Sequence, residues 1–173
     1  MSIGFYFIFI LILLRMPLIE IKTLIDADIQ TCFDLSRNID FHKESLKHSN
    51  EKAIAGKTSG LIGLNEWVTW EAKHFGIKQQ LTSKITAFDS PNYFADEMVS
   101  GAFKSFKHEH VFQTSFDNKF NVDYTLMIDR FYFESPFGLL GKLANTVFLK
   151  RYMTNLLKTR NFHLKKRAED MFK

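Results

Sequence analysis

The spacing of apolar positions changes period twice along this chain. Leu18-Ile19-Glu20-Ile21-Lys22-Thr23-Leu24-Ile25 alternates, with imperfections, and predicts a first strand. Asp26-Ala27-Asp28 breaks the alternation. Either aspartate suits the N-cap of a helix whose buried stripe is Ile29, Cys32, Phe33 and Leu35. Asn38 to Lys47 predicts a second short helix or turn. From Glu51 to Glu134 the pattern is almost wholly β. A glycine-rich stretch over 56–63 separates two strands, and Glu66 to Phe75 is a long strand that Gly76 turns into Ile77 to Phe88. Asp89-Ser90-Pro91-Asn92 is a turn cluster. Tyr93 to Val99, Phe103 to Phe116 and Val122 to Glu134 are further strands, the last two joined by a tight hairpin at Asp117-Asn118-Lys119. Pro136 then suits the start of a helix running from Phe137 to about Phe172, with Leu140, Leu143, Val147, Met153, Leu156, Leu157 and Leu164 recurring at three and four.

This order is strand, two short helices, six strands, long helix, and it predicts an α+β fold. A meander of long strands must twist and curl, so its concave face needs a cover. The terminal helix supplies one. A helix laid across a curled sheet leaves part of the hollow unfilled, so an apolar pocket between them is expected. No linker or repeat divides 17–173, which reads as one domain.

Residues 1–16 stand apart as an apolar extension. Ile3 to Leu14 has no basic residue ahead of it, Arg15 follows it, and no small-residue cleavage pattern precedes Pro17, which argues against a secretory signal. A run of about a dozen apolar residues also falls short of the roughly 20 that a spanning helix needs. Translation starting at Met16 is the simpler expectation, with a short membrane-associating segment as the alternative. Either leaves the domain cytoplasmic.

Composition adds two facts. Phenylalanine is the outlier, with 19 copies in 173 residues, and so many rings need a bulky core or a wide apolar cavity. Cys32 is the only cysteine, so no intrachain disulfide forms, which suits a reducing compartment. On its helix it reads as a small core residue and not a catalytic thiol. The net charge of +4 gathers toward the C-terminal helix, where Lys150, Arg151, Lys158, Arg160, Lys165, Lys166 and Arg167 read first as a solvated face, and only second as a contact for acidic membrane or nucleic acid. No phosphate loop, zinc-finger spacing or RNA-binding aromatic signature accompanies that charge, so nucleic acid is not an expected partner.

Several local strings carry a resemblance. They are Trp67-Val68-Thr69-Trp70-Glu71-Ala72, Pro91-Asn92-Tyr93-Phe94-Ala95-Asp96-Glu97-Met98 and Gly101-Ala102-Phe103-Lys104. His108-Glu109-His110-Val111-Phe112, Thr125-Leu126-Met127-Ile128-Asp129 and Pro136-Phe137-Gly138-Leu139-Leu140-Gly141 complete the set. With the element order, they resemble the START-like (SRPBCC) helix-grip superfamily, over about Leu18 to Lys166. Within it, the strings are most similar to a bacterial group labelled cell-division inhibitor or cyclase/dehydrase proteins. The resemblance implies a curved antiparallel sheet around a long C-terminal helix. It leaves chemistry open, because carriers, sensors and enzymes share that scaffold.

The candidate site residues follow from strand parity. His108 and His110 emerge on one face, shared with Phe106 and Phe112, so that face points inward. Two imidazoles on an apolar wall need partners. Asp129, on the hairpin partner strand and on one face with Thr125 and Met127, leads the candidates. Four readings stay open: a structural His/Asp network, polar contacts that orient a ligand, a metal site of two histidines and a carboxylate that lacks an evident third ligand, and acid/base catalysis by His110 with Asp129. If Phe94, Asp96 and Met98 face inward, Asp96 is a second buried carboxylate seeking a histidine or Arg130. Trp70 is expected inside and Trp67 outside, while Phe148, Tyr152 and Met153 cover the pocket from the helix. Gly138 and Gly141 allow close approach of the helix to the sheet.

These residues predict a binder of a hydrophobic small molecule, whether lipid, polyketide-like or aromatic, with no cofactor and no resident metal, and with membrane contact open to it but not expected. The alternative is a cyclase- or dehydratase-like enzyme working through the His/Asp cluster.

Overall fold

The computed structural model describes residues 17–74, 76–117, 122–135 and 139–171. Strand β1 (Leu18–Ile25) leads into helix α1 (Ile29–Ser36), helix α2 (Ile39–Ser45) and a 3-10 turn (Lys47–Ser49). Six strands follow: β2 (Lys52–Gly56), β3 (Trp67–His74), β4 (Ile77–Asp89), β5 (Tyr93–Ser100), β6 (Ser105–Asp117) and β7 (Val122–Glu134). Helix α3 (Leu139–Asp170) closes the chain. The predicted 118–119 hairpin tip, the N-terminal extension, Pro136 and Gly138 lie outside the described residues.

The strands form one antiparallel sheet in the order β1-β7-β6-β5-β4-β3-β2. Consecutive strands are neighbours, except that β1 pairs with β7, Ile19 opposite Phe131. Register shifts interrupt β2 between Ala53 and Ala55 and β4 at Thr82/Ser83 and Ile85/Ala87. Each such bulge adds local twist, which curls the sheet.

Local chemistry fixes the short helices. Of the two candidate aspartates, Asp28 caps α1: its carboxylate accepts from the Thr31 amide at 2.9 Å and the Thr31 hydroxyl at 2.7 Å. Asn38 caps α2 through the amides of Asp40 and Phe41. Helix α1 turns Cys32, Phe33 and Ser36 into the core, where Phe33 meets Phe88, Phe94 and Phe112 edge-on at centroid distances of 5.3–5.5 Å. A second apolar cluster gathers Ile19, Phe106, Phe131, Phe133 and Leu157 toward the other end of the sheet. Many of the chain's rings fill these clusters, and the hollow between them is the site.

Helix α3 packs against β1, α1 and α2. Among its described side chains, Leu157, Arg160, Asn161, Leu164 and Ala168 are buried, a stripe of steps of three and four. Arg160 therefore departs from the solvated-face expectation. Only 5% exposed, it donates from Nη2 to the Ser36 carbonyl at 2.7 Å. Among the described residues no helix is long and apolar enough to cross a membrane.

Candidate ligand-binding site

The concave face of the sheet, α2 and α3 enclose a cavity of about 390 Å³. Its wall is mainly apolar and aromatic: Val68, Trp70, Ile85, Phe94, Phe103, Phe106 and Phe131 from the sheet and its loops, Leu149, Met153, Leu156 and Leu157 from α3. The volume falls in the roughly 300–1,000 Å³ range of small-molecule sites. Trp70 lines the cavity, stacked on His42 at 4.2 Å, whereas Trp67 is 44% exposed. His42 Nε2 in turn lies 2.8 Å from Glu51 Oε2, which puts one polar pair on the wall beside α2.

A second, larger polar cluster comes from cross-strand register. His108 on β6 faces Asp96 on β5 and Phe131 on β7, and His110 faces Phe94 and Asp129. Alternation keeps all of them on the concave face. Asp129 is fully buried. Its Oδ1 lies 3.0 Å from His108 Nε2 and 2.8 Å from His110 Nδ1, though the second contact lacks hydrogen-bond alignment. Its Oδ2 accepts from Asn161 Nδ2 at 2.6 Å, and Arg160 Nη1 stands 3.6 Å from Oδ1. On the other side of the imidazoles, Asp96 Oδ1 lies 3.9 Å from His108 Nδ1 and 3.7 Å from His110 Nε2. The two rings thus sit between two carboxylates, with the His110 ring also stacked on Phe94 at 4.2 Å.

The electrostatics follow from that sandwich. Burial opposes the charge of Asp129, but the His108 hydrogen bond and the close approach of His110 outweigh it and hold the carboxyl well below its ordinary range. Asp96 moves the same way: burial is again the largest effect, and the facing His110 and His108 overcome it. For His108, burial and then the neighbouring His110 dominate, pulling the imidazole down to about 4. His108 is therefore neutral at pH 7, able to donate from one nitrogen and offer a lone pair from the other.

Eight of the thirteen expected pocket residues line the cavity: Trp70, Phe94, Asp96, Phe106, His108, His110, Phe148 and Tyr152. Phe148 is 55% exposed, which places it at the edge. Five do not line it. Asp129 sits behind the imidazoles, Phe112 and Met127 are sealed into the core with Phe33, and Met98 packs against the second cluster. Thr125 donates instead to the Ala27 carbonyl at 2.7 Å. The reason is common to Phe112, Thr125 and Met127. Parity selects the concave face correctly, but α1 covers that end of the face and fills it. Arg130, offered as a partner for Asp96, points outward and pairs with Glu20 at 3.0 Å. Sequence reasoning missed Arg160 and Asn161 at the site. Their spacing from Leu157 and Leu164 was the available signal.

No protein-family model matches the chain, and no curated protein matches it by sequence. Solved structures do match. TTHA0849 from Thermus thermophilus superposes with a TM-score of 0.69 at 17% identity, over 88% of this chain and 97% of that one. A START superfamily protein from Mycobacterium smegmatis gives 0.66 at 11% identity, covering 89% and 98%. The fold is the START-like helix grip. Ginseng major latex-like protein 151 from Panax ginseng shares it, with a TM-score of 0.64 at 14% identity over 89% and 98% of the two chains. At these identities the likeness extends to the helix-grip fold and not to any residue of the site.

Proposed function

We propose that this chain binds an apolar small molecule, as a carrier or sensor, in the cavity between sheet and helix. The observation that carries the reading is the cavity itself: about 390 Å³, walled mainly by Phe, Trp, Leu and Met side chains, with fewer polar groups among them. An apolar hollow of this size would be filled by core side chains in a protein that had no use for it. Lipid, polyketide-like and aromatic compounds all suit such a wall, and the His108/His110/Asp96 side would orient one polar end. The binding unit is residues 17–173, and the lone buried thiol suits a cytoplasmic setting.

Native mass spectrometry of the purified chain, followed by denaturing extraction and small-molecule mass analysis, tests this. A stoichiometric apolar molecule, displaced when Leu157→Trp fills the cavity, is the expected result. A folded protein that carries no such molecule and takes up none from a panel of fatty acids and polycyclic aromatics overturns it. A cyclase- or dehydratase-like reaction is the second reading, favoured by the exposure of both imidazoles to the cavity. It predicts that a bound compound changes mass on incubation with the protein and does not with His110→Ala.

A further inference from the structure

We propose that Asp96, His108 and His110 form a mononuclear site for a divalent first-row transition ion, open to the cavity on its fourth side. One ligand atom from each of Asp96, His108 and His110 lies within 4.8 Å of the others, and Asp96 Oδ1 stands 3.9 Å from His108 Nδ1 and 3.7 Å from His110 Nε2. Those separations are too long for hydrogen bonds. Ligand atoms around a tetrahedral ion with bonds of about 2.0–2.1 Å stand about 3.4 Å apart, so Asp96 Oδ1 needs to close on the two imidazole nitrogens by about 0.3 and 0.5 Å to share one with them. The Asp96 carboxylate, part-exposed to the cavity, has the freedom to make that movement.

The groups behind the trio match what metal-binding imidazoles require. A ligating histidine presents its second ring nitrogen to a carboxylate or carbonyl, which fixes the ring. Here the second nitrogens of both rings, His108 Nε2 and His110 Nδ1, converge on Asp129 Oδ1 at 3.0 and 2.8 Å. Asn161 then holds the other oxygen of that carboxylate. One buried carboxylate therefore backs both imidazoles, by a hydrogen bond to His108 and a close contact with His110, while Asp96 faces their other nitrogens. A purely structural network would not need the second carboxylate there.

Charge favours the same conclusion. Asp96 and Asp129 bring two negative charges, and Arg160 is the cation at Asp129, leaving one net negative charge in a desolvated setting. A divalent ion reverses that sign by one unit, which an anionic fourth ligand then neutralises. Hydroxide or the carboxylate or enolate end of an apolar ligand would serve. Two imidazoles and one carboxylate suit zinc, iron(II) and cobalt(II) over calcium or magnesium. The site does not depend on organic ligand binding, so the two proposals fail separately.

The test uses tag-free full-length chain, stripped with a chelator and titrated with Zn²⁺ by calorimetry and with Co²⁺ by visible absorption. One equivalent of either ion should bind with micromolar or tighter affinity, and Co²⁺ should develop ligand-field bands. Asp96→Asn and His110→Ala should each weaken binding at least tenfold, and Asp129→Asn should weaken it about 10- to 100-fold through loss of orientation. His163→Ala, at an exposed position on α3, should leave it unchanged. Circular dichroism checks that each variant is folded, and Asp96→Asn remains decisive if His110→Ala is not. Absence of saturable binding by both ions overturns the proposal. So does binding of unchanged strength in Asp96→Asn.

Discussion

Asp129→Asn perturbs the cluster with almost no change of volume. The carboxylate accepts from Asn161 at 2.6 Å and His108 at 3.0 Å, contacts His110 at 2.8 Å, and balances Arg160 at 3.6 Å. An amide that keeps its oxygen toward the histidines turns its NH₂ toward Asn161 Nδ2, so two donors face each other. An orphaned buried group of this kind costs about 1–3 kcal/mol. The unbalanced guanidinium of Arg160 raises the total to about 3–5 kcal/mol, the range for removing one partner of a buried ion pair. In a chain of this length that lowers Tm by roughly 6–20 °C. The loss also has a pH signature. The folded carboxyl titrates below its unfolded value of about 3.9, so its stabilisation is fully present above that value and disappears as pH falls through the folded one. Urea denaturation of both proteins should give a constant gap from pH 7 to about pH 4 that narrows below. A gap under about 1 kcal/mol at pH 7, or one that persists unchanged into strong acid, would refute the account of Asp129 as the charged centre of the cluster.

Three further outcomes follow from the packing. Gly56→Ala should destabilise far more than Gly60→Ala: both glycines have φ near +70°, but a Cβ at Gly56 meets the Trp67 carbonyl oxygen at 2.3 Å while one at Gly60 meets open space. Chemical denaturation should show about 1–2 kcal/mol for Gly60→Ala and clearly more for Gly56→Ala, and equal losses would remove the close approach from the explanation. Phe33→Ala, which deletes a ring fully buried among Phe88, Phe94 and Phe112, should cost about 3–5 kcal/mol by the same assay. The Cys32 thiol, raised to about 11 by burial, should resist a disulfide reagent at pH 8 in the native protein and react fully in denaturant.

The elements were legible because turn and cap residues separate long β-rich runs, α3 repeats in steps of three and four, and a capping aspartate follows β1. The inward face of β6 was legible for the same reason, and it brought His108, His110 and Asp129 together on parity alone. Parity says which face a side chain takes but not what covers that face. Hence Phe112, Thr125 and Met127 were expected in the cavity and lie under α1 instead. Arg160 was hidden differently, since a lysine-rich helix disguises one inward arginine whose partner, Asp129, is 31 positions earlier. For Asp96 the sequence offered a histidine or Arg130 as partner, and the β5–β6 register, which sets it opposite His108, decides between them.

The pairing of β1 with β7 carries a consequence for how the chain is made. Glu20 and Arg130, 110 positions apart, meet across that pair, and Asn161 of α3 reaches back to Thr23. During synthesis β1 therefore leaves the ribosome long before β7, its sheet neighbour among the described strands, exists, and the cavity wall gains its last side after α3 emerges. Such non-local closure makes folding slow and leaves an apolar strand edge unguarded in the meantime. Nascent chains of this protein should be clients of a holdase, and truncation within α3 should produce aggregation instead of a smaller folded core.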